Sequence, residues 1–206
     1  MKYPKKLIIR DHVFFVDEKV YEPAEDTFLL VENLKVEEKE VVLDMGTGCG
    51  ILAVLAVEKA QKVVATDINP YAIKCSKKNA RTNCVEDRIE FRLGDLFNPI
   101  RPHETFSLIL FNSPYLPSKP YEKRNWIGRA WAGGPSGREV IDRFIINAPE
   151  FLMAEGRILL VQSSLSDIDK TLERFNEMGF KASVVTKAEF PFEKIALIEA
   201  RLRARS

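Results

Sequence analysis

The spacing of apolar positions changes period along the chain and divides it into elements. Residues 7–16, Leu-Ile-Ile-Arg-Asp-His-Val-Phe-Phe-Val, read as two short strands around Arg10-Asp11-His12. Residues 24–34 read as a helix, with Phe28, Leu29 and Leu30 following the acidic first turn of Glu25 and Asp26. Strand and helix then alternate. Val41–Asp44 is a buried strand and Ile51–Lys59 a helix, Lys62–Asp67 a strand and Pro70–Thr82 a helix with proline at its first position. Arg88–Leu93 and the continuous apolar run Phe106–Phe111 are strands, and residues 137–151 contain a helix. Arg157–Gln162 is a strand and Ser166–Met178 a helix capped by Gly179. Residues 180–187 and 193–201 are two strands with only the short Glu189-Phe190-Pro191-Phe192 turn between them.

Strands separated by helices require a mostly parallel sheet with helices on both faces. The last two strands, joined by a short turn, pair antiparallel. Residues 1–206 therefore read as one domain, with 1–20 as an N-terminal strand extension. Residues 112–137 break the rhythm. They form a long stretch rich in proline, glycine, tryptophan and basic residues, and loops of that length carry function or are disordered. Trp126 and Trp131 argue against disorder. Phe14, Phe15, Phe190 and Phe192 read as core, and His12 and His103 as surface or turn residues.

Composition changes this picture little. Apolar residues make up 46% and charged residues 30%, and the net charge is +1, so no strong field selects a nucleic acid or a membrane. Charge is gathered at the two ends, Lys2, Lys5, Lys6 and Arg10 at one and Arg201, Arg203 and Arg205 at the other, which reads as solvated termini. The three cysteines, Cys49, Cys75 and Cys84, form neither a disulfide framework nor a Cys-x-x-Cys zinc pair. No apolar run approaches 18 residues and no leader pattern starts at Met1, so a cytoplasmic location is expected.

Candidate chemistry begins at Asp44-Met45-Gly46-Thr47-Gly48-Cys49-Gly50, between a strand and a helix. Open α/β sheets bind ligands beyond the carboxyl ends of their strands, and glycines let the backbone turn closely around them. The spacing is Gly-x-Gly-x-Gly, and Ile51 stands where a dinucleotide fingerprint needs glycine. A carboxylate at Asp44 repels a pyrophosphate but attracts a sulfonium or an ammonium group. S-adenosylmethionine carries both. Asp67, with Ile68 after it, ends the next strand and suits ribose hydroxyls. Asp95 and Leu96 follow the third strand and suit an adenine amino group and ring. Each aspartate also fits a turn or a helix cap.

Asn112-Ser113-Pro114-Tyr115 ends the fourth strand. An amide nitrogen is a poor nucleophile, so methylating it requires its hydrogens to be held while the lone pair faces the methyl group. The Asn112 side-chain oxygen and the carbonyl of Ser113 are suitable acceptors, and Tyr115 can stack on the planar group. Standing alone, Asn-Ser-Pro is also a turn sequence.

These residues resemble a known family. Asn112–Tyr115 is similar to the Asn-Pro-Pro-Tyr motif of amino-group methyltransferases. Tyr21-Glu22-Pro23-Ala24-Glu25-Asp26-Thr27-Phe28 and residues 131–140, Trp-Ala-Gly-Gly-Pro-Ser-Gly-Arg-Glu-Val, resemble the short eukaryotic and archaeal branch of HemK-related enzymes. Those enzymes methylate the glutamine of the Gly-Gly-Gln motif in class I translation release factors. The resemblance runs from about Tyr21 to Gln162, without the N-terminal helical domain of bacterial members. It implies a Rossmann-like class I fold, a seven-stranded sheet closed by an antiparallel hairpin, and S-adenosylmethionine as cofactor. It places the cofactor against Thr27, Asp44, Gly46, Asp67, Asp95, Leu96 and Asn112, to which the reading of the loop and of the second strand end adds Thr47, Gly48, Gly50 and Ile68, and the target glutamine against Asn112, Ser113, Pro114 and Tyr115. It also implies a small zinc-containing activator protein as partner. Ser113 departs from the motif by replacing the first proline, which removes a fixed φ and adds an N–H.

Two alternatives remain open at this stage. One is methylation of an exocyclic purine amine in RNA or DNA; the basic-aromatic stretch of Lys119, Lys123, Arg124 and Arg129 with Tyr121, Trp126 and Trp131 suits a grip on a protein loop or on RNA, or an ordinary lid with its tryptophans packed on the core. The other is a cofactor-binding partner protein without catalysis. Glu22 and Glu25 read as helix-start residues or as part of the site wall, and the segment Tyr21–Phe28 as a whole reads as wall.

Overall fold

A computed structural model describes residues 4–203. Lys2 and Arg205, assigned above to basic termini, lie outside the described residues. The chain opens with an antiparallel hairpin, β1 (Lys5–Ile9) and β2 (His12–Val16). Then come α1 (Glu25–Asn33), β3 (Val41–Met45), α2 (Ile51–Ala56), β4 (Lys62–Asp67), α3 (Pro70–Thr82) and β5 (Ile89–Leu93). Next are β6 (Phe106–Asn112), α4 (Trp126–Trp131), α5 (Glu139–Asn147) and β7 (Leu152–Ser163). The chain ends with α6 (Ile168–Glu177), β8 (Phe180–Phe190) and β9 (Glu193–Leu202).

Seven strands form one sheet in the order β5-β4-β3-β6-β7-β9-β8. The first five are parallel, and β9 lies antiparallel between β7 and β8. The central strands are apolar on both faces because helices cover both. Val42, Leu43, Leu108, Ile109, Leu110, Leu160 and Val161 are fully buried. The order reverses at β3, so the chain leaves β3 toward β4 and later returns to β6 on its other side. That reversal opens a crevice beyond the carboxyl ends of β3 and β6. Asp44 pairs with Leu110 and Met45 with Phe111, so the glycine loop and Asn112 leave the sheet at one level.

Two local features fix the crevice walls. Gly50 caps α2 at φ 90°, and a Cβ there would lie 2.9 Å from Ser76 Cβ on α3, so only glycine allows the two helices this approach. Asn69 caps α3 by accepting from Tyr71 N at 2.9 Å, with Pro70 at the first position. Asn79 and Asn83, one turn apart on α3, bond both backbone polar groups of Phe15 and of Val13, which docks the N-terminal hairpin onto the domain.

The structure departs from the sequence reading in several places. α2 stops at Ala56 rather than Lys59. Strand β7 begins five residues earlier than expected, at Leu152. The long stretch after β6 is not a simple loop. It holds a 3-10 turn over Pro120–Arg124 and the six-residue α4, started by Asn125, whose side chain accepts from Gly128 N. Phe190 and Phe192 are not core. The hairpin between β8 and β9 extends past the sheet, leaving Phe192 95% exposed, whereas Phe14 is fully buried.

Candidate active site

A cleft of about 570 Å³ opens at the carboxyl ends of β3, β4, β5 and β6, within the size range of sites that hold a small organic ligand. One wall is the glycine loop with Gly46, Thr47 and Gly48, and a second is Asp67 and Ile68 after β4. Asp95 and Leu96 after β5 form a third, and Asn112 through Tyr115 after β6 form a fourth. Thr27 enters from α1. Twelve of the fourteen residues expected at the site therefore line one cleft.

Asp44 and Gly50 do not line it. Gly50 is turned toward α3, as its contact with Ser76 requires. Asp44 is fully buried beneath the glycine loop. Its Oδ2 accepts from the Thr47 hydroxyl at 2.6 Å and from Ala53 N at 3.1 Å, which ties the loop and the start of α2 to β3. Oδ1 has no hydrogen-bond partner among the described residues. Burial pushes the Asp44 carboxyl up to about 7, against the downward pull of those two donors. Asp67 Oδ2 accepts from Gly48 N at 2.9 Å and Oδ1 from Asn69 N at 2.8 Å, so Asp67 also braces the loop. Burial pushes it up to about 6. Asp95 is held by Arg143 of α5 at 2.5 Å, a partner absent from the sequence reading.

The opposite wall is organised by Asp26, which is 4% exposed. Its Oδ1 accepts from the Thr27 N–H at 2.6 Å and the Thr27 hydroxyl at 3.2 Å. Its Oδ2 accepts from the hydroxyls of Tyr21 and Tyr115, each at 3.1 Å. Burial, reinforced by the Asp26 charge, raises both tyrosines well above the usual phenol range, so they remain donors. Thr27 Oγ1 in turn accepts from Asn112 Nδ2 at 3.2 Å, leaving Asn112 Oδ1 buried and without a partner among the described residues.

The segment after β6 is held from behind. The Ser113 hydroxyl donates to the Val161 carbonyl of β7 at 2.9 Å. Leu116 accepts from Gly133 N at 2.8 Å and donates to the Trp131 carbonyl at 2.9 Å. Gly133 and Gly137 lie against the same segment. A Cβ at Gly137 would stand 2.3 Å from the Tyr115 carbonyl oxygen, and one at Gly133 would stand 2.7 Å from that of Pro114. The glycines of residues 133–137 thus let two backbones touch. Lys123, Trp126 and Arg129 of the basic-aromatic stretch reach the cleft, whereas Lys119, Tyr121 and Arg124 do not line it. Neither do Glu22 and Glu25, because Glu22 pairs with Lys5 and Glu25 faces solvent.

Sequence reasoning placed the segment Tyr21–Phe28 in the site wall but gave Asp26 no role of its own, because a helix-start acid is an ordinary feature of a first turn. Arg143 was missed because it joins the cleft through Asp95, 48 positions away, and Tyr21 was given no role because its partner Asp26, five positions on, had none. A signal for Asp26 was present: it alone in the acidic pair Glu25-Asp26 stands next to a cleft threonine.

A Rossmann-like sheet, a glycine loop at its reversal point and a closing antiparallel hairpin define a class I methyltransferase domain. The family of methyltransferase small domains matches residues 14–126. A Methanocaldococcus jannaschii protein, provisionally named a protein N5-glutamine methyltransferase, is 40% identical over 184 residues, covering 88% of this chain and 91% of its own. Human methyltransferase HEMK2 is 34% identical over 191 residues, 87% of this chain and 88% of that protein. The solved E. cuniculi Mtq2–Trm112 complex, described as responsible for methylation of the termination factor eRF1, superposes with a TM-score of 0.67 at 26% identity. It covers 89% of this chain and 99% of that one. The chain is a methyltransferase and belongs to the methyltransferase small-domain family, within its HemK-related branch.

Proposed function

We propose that this protein transfers the methyl group of S-adenosylmethionine to the side-chain amide nitrogen of the glutamine in the Gly-Gly-Gln motif of a class I release factor. The observation that carries this reading is Asn112 Oδ1. It is an acceptor buried beside the cleft with no partner among the described residues, at a cost of about 1–3 kcal/mol unless a donor arrives. A primary amide brings two such hydrogens. The names of the relatives point the same way: HEMK2 is a methyltransferase, and the E. cuniculi protein acts on a termination factor.

In this reading the glycine loop would hold the cofactor, with Asp67 available to its ribose hydroxyls and Ile68, Asp95 and Leu96 to its adenine, and the cofactor would supply the methyl group. The buried charge of Asp44 acts from behind the loop on the positively charged amino acid and sulfonium end. Asn112 Oδ1 and the Ser113 carbonyl take the hydrogens of the target amide, and Tyr115 flanks its plane. The enzyme's contribution is then alignment of the nitrogen lone pair with the methyl group, in line with the departing sulfur. The product nitrogen is cationic and releases its proton readily, so no strong base is required before transfer. A small partner protein, as in the E. cuniculi complex, belongs to the reading, with any zinc on the partner. The three unpaired cysteines suit a cytoplasmic setting.

The test is transfer of labelled methyl from S-adenosylmethionine to a release factor carrying Gly-Gly-Gln or Gly-Gly-Asn, with and without the candidate partner. Label on the glutamine form alone is the expected result. Label on bulk RNA or DNA instead would replace the glutamine by a purine amine.

A further inference from the structure

A carboxamide offers an acceptor at one end and donors at the other, in nearly the same shape. Binding an NH2 group at Asn112 therefore depends on which end faces the target. In this protein the choice is made two residues away. Asp26 Oδ1 accepts, so the Thr27 hydroxyl hydrogen points toward it at 3.2 Å. The Thr27 oxygen then presents a lone pair to Asn112, and only the NH2 end can meet it, at 3.2 Å. Reversing the Asn112 amide would set its oxygen against that lone pair. The same carboxylate holds the Tyr115 hydroxyl at 3.1 Å and steadies the ring that flanks the target plane.

We propose that Asp26 is a positioning residue for methyl transfer: acting through Thr27, it fixes the Asn112 amide with its oxygen toward the target nitrogen, and it clamps Tyr115. This inference rests on the amide reading of the site. Asp26 does not touch the reacting atoms. Its effect travels along one directed chain, carboxylate to hydroxyl to amide, in which each member has a single favourable orientation.

The test compares Asp26→Asn, Thr27→Val, Thr27→Ser and the double variant of the first two in the full-length protein with its partner. Asp26→Asn supplies a donor where the chain requires an acceptor. Thr27→Val removes the relay while leaving the carboxylate. Each is expected to lower kcat on the Gly-Gly-Gln factor about 100-fold; S-adenosylhomocysteine affinity stays within about threefold of the parent in Asp26→Asn, whereas Thr27, itself a cleft residue, is judged by kcat and by its rescue in Thr27→Ser. Thr27→Ser restores most of what Thr27→Val loses, and the double variant falls no further than the worse single one. Activity within threefold in both single variants, or losses that multiply in the double variant, would overturn the proposal. Side-chain NMR of Asn112 gives a second readout that needs no substrate. Its Nδ2 protons should exchange at least tenfold faster in Thr27→Val than in the parent. If the parent fails to methylate the factor yet shows that difference, the glutamine reading fails and the positioning role stands. Equal exchange in the two proteins sinks the positioning role.

Discussion

Asp44, buried behind one wall of the cleft, and Asp26, in the opposite wall, are both sealed carboxylates, and they are satisfied in opposite ways. Asp44 takes two donors on one oxygen and none on the other. Asp26 takes four donors, two on each oxygen. An acid left half satisfied in a low-dielectric site is poised to respond to a positive ligand. An acid with donors on both oxygens has no acceptor left unmet, and it fixes every group that donates to it. On the proposed function the two walls do different work: electrostatic attraction on the glycine-loop side, geometry on the Asn112 side.

The strongest way to break that division is Asn112→Ala. If Asn112 serves the target nitrogen, methyl transfer falls about 10²- to 10³-fold while S-adenosylhomocysteine binds within a few-fold of normal. Calorimetry alongside the transfer assay decides it. A parallel collapse of cofactor affinity would move Asn112 to the other wall.

Gly137 tests whether the geometry of that wall comes from its backing. Its φ is +74°, and any side chain would be driven against the Tyr115 carbonyl. Gly137→Val should cost about 2–3 kcal/mol of stability and displace the Asn112–Tyr115 segment, lowering kcat about 10²-fold. Cofactor affinity should survive, because the glycine loop is braced by Asp44 and Asp67. Thermal melts and a binding isotherm check both halves of this expectation.

These two walls were not equally legible in the sequence. The alternation of apolar runs located every strand of the large sheet, because buried parallel strands must be apolar throughout. The motif residues at strand ends reached the cleft because strand ends converge at the sheet's reversal point. What stayed hidden depends on contacts between distant segments. Asp26 meets Tyr115 across 89 positions, and Arg143 meets Asp95 across 48. Asp44 was legible as a site acid but not as one lying behind the wall, since sequence does not say which way a strand-end side chain is covered. Phe192 shows the reverse error, because an aromatic next to a hairpin turn carries no mark of the sheet ending beneath it.

The half-satisfied state of Asp44 makes a pH prediction. Burial holds its carboxyl at about 7 in the folded protein, above the unfolded value of about 3.9. The folded state therefore binds this proton more tightly. The stability it contributes is complete below about pH 4 and is lost as pH rises through 7. Asp67, at about 6, adds loss over the lower part of that window. Asp44→Asn removes the larger of these titrations. From pH 5 to pH 8 the melting temperature of the variant should gain on the parent by a few degrees, for a differential on the order of 1–2 kcal/mol. A gap that stays constant with pH would mean that Asp44 is not under electrostatic tension.

The smallest effect expected is at Ser113, and it shows how little the geometry of the Asn112 wall depends on proline. The Ser113 side chain is buried and its hydroxyl reaches the Val161 carbonyl, so the segment is tied to β7 by a hydrogen bond where the motif uses a ring. Ser113→Ala deletes that tie and leaves the backbone carbonyl in place. It should cost about 1 kcal/mol, or about 2–4 °C in melting temperature, with kcat lowered no more than about threefold. The backing by Gly133 and Gly137 is what keeps the effect small. A loss beyond tenfold, with stability nearly unchanged, would show that the hydroxyl itself sets the carbonyl that receives the target amide.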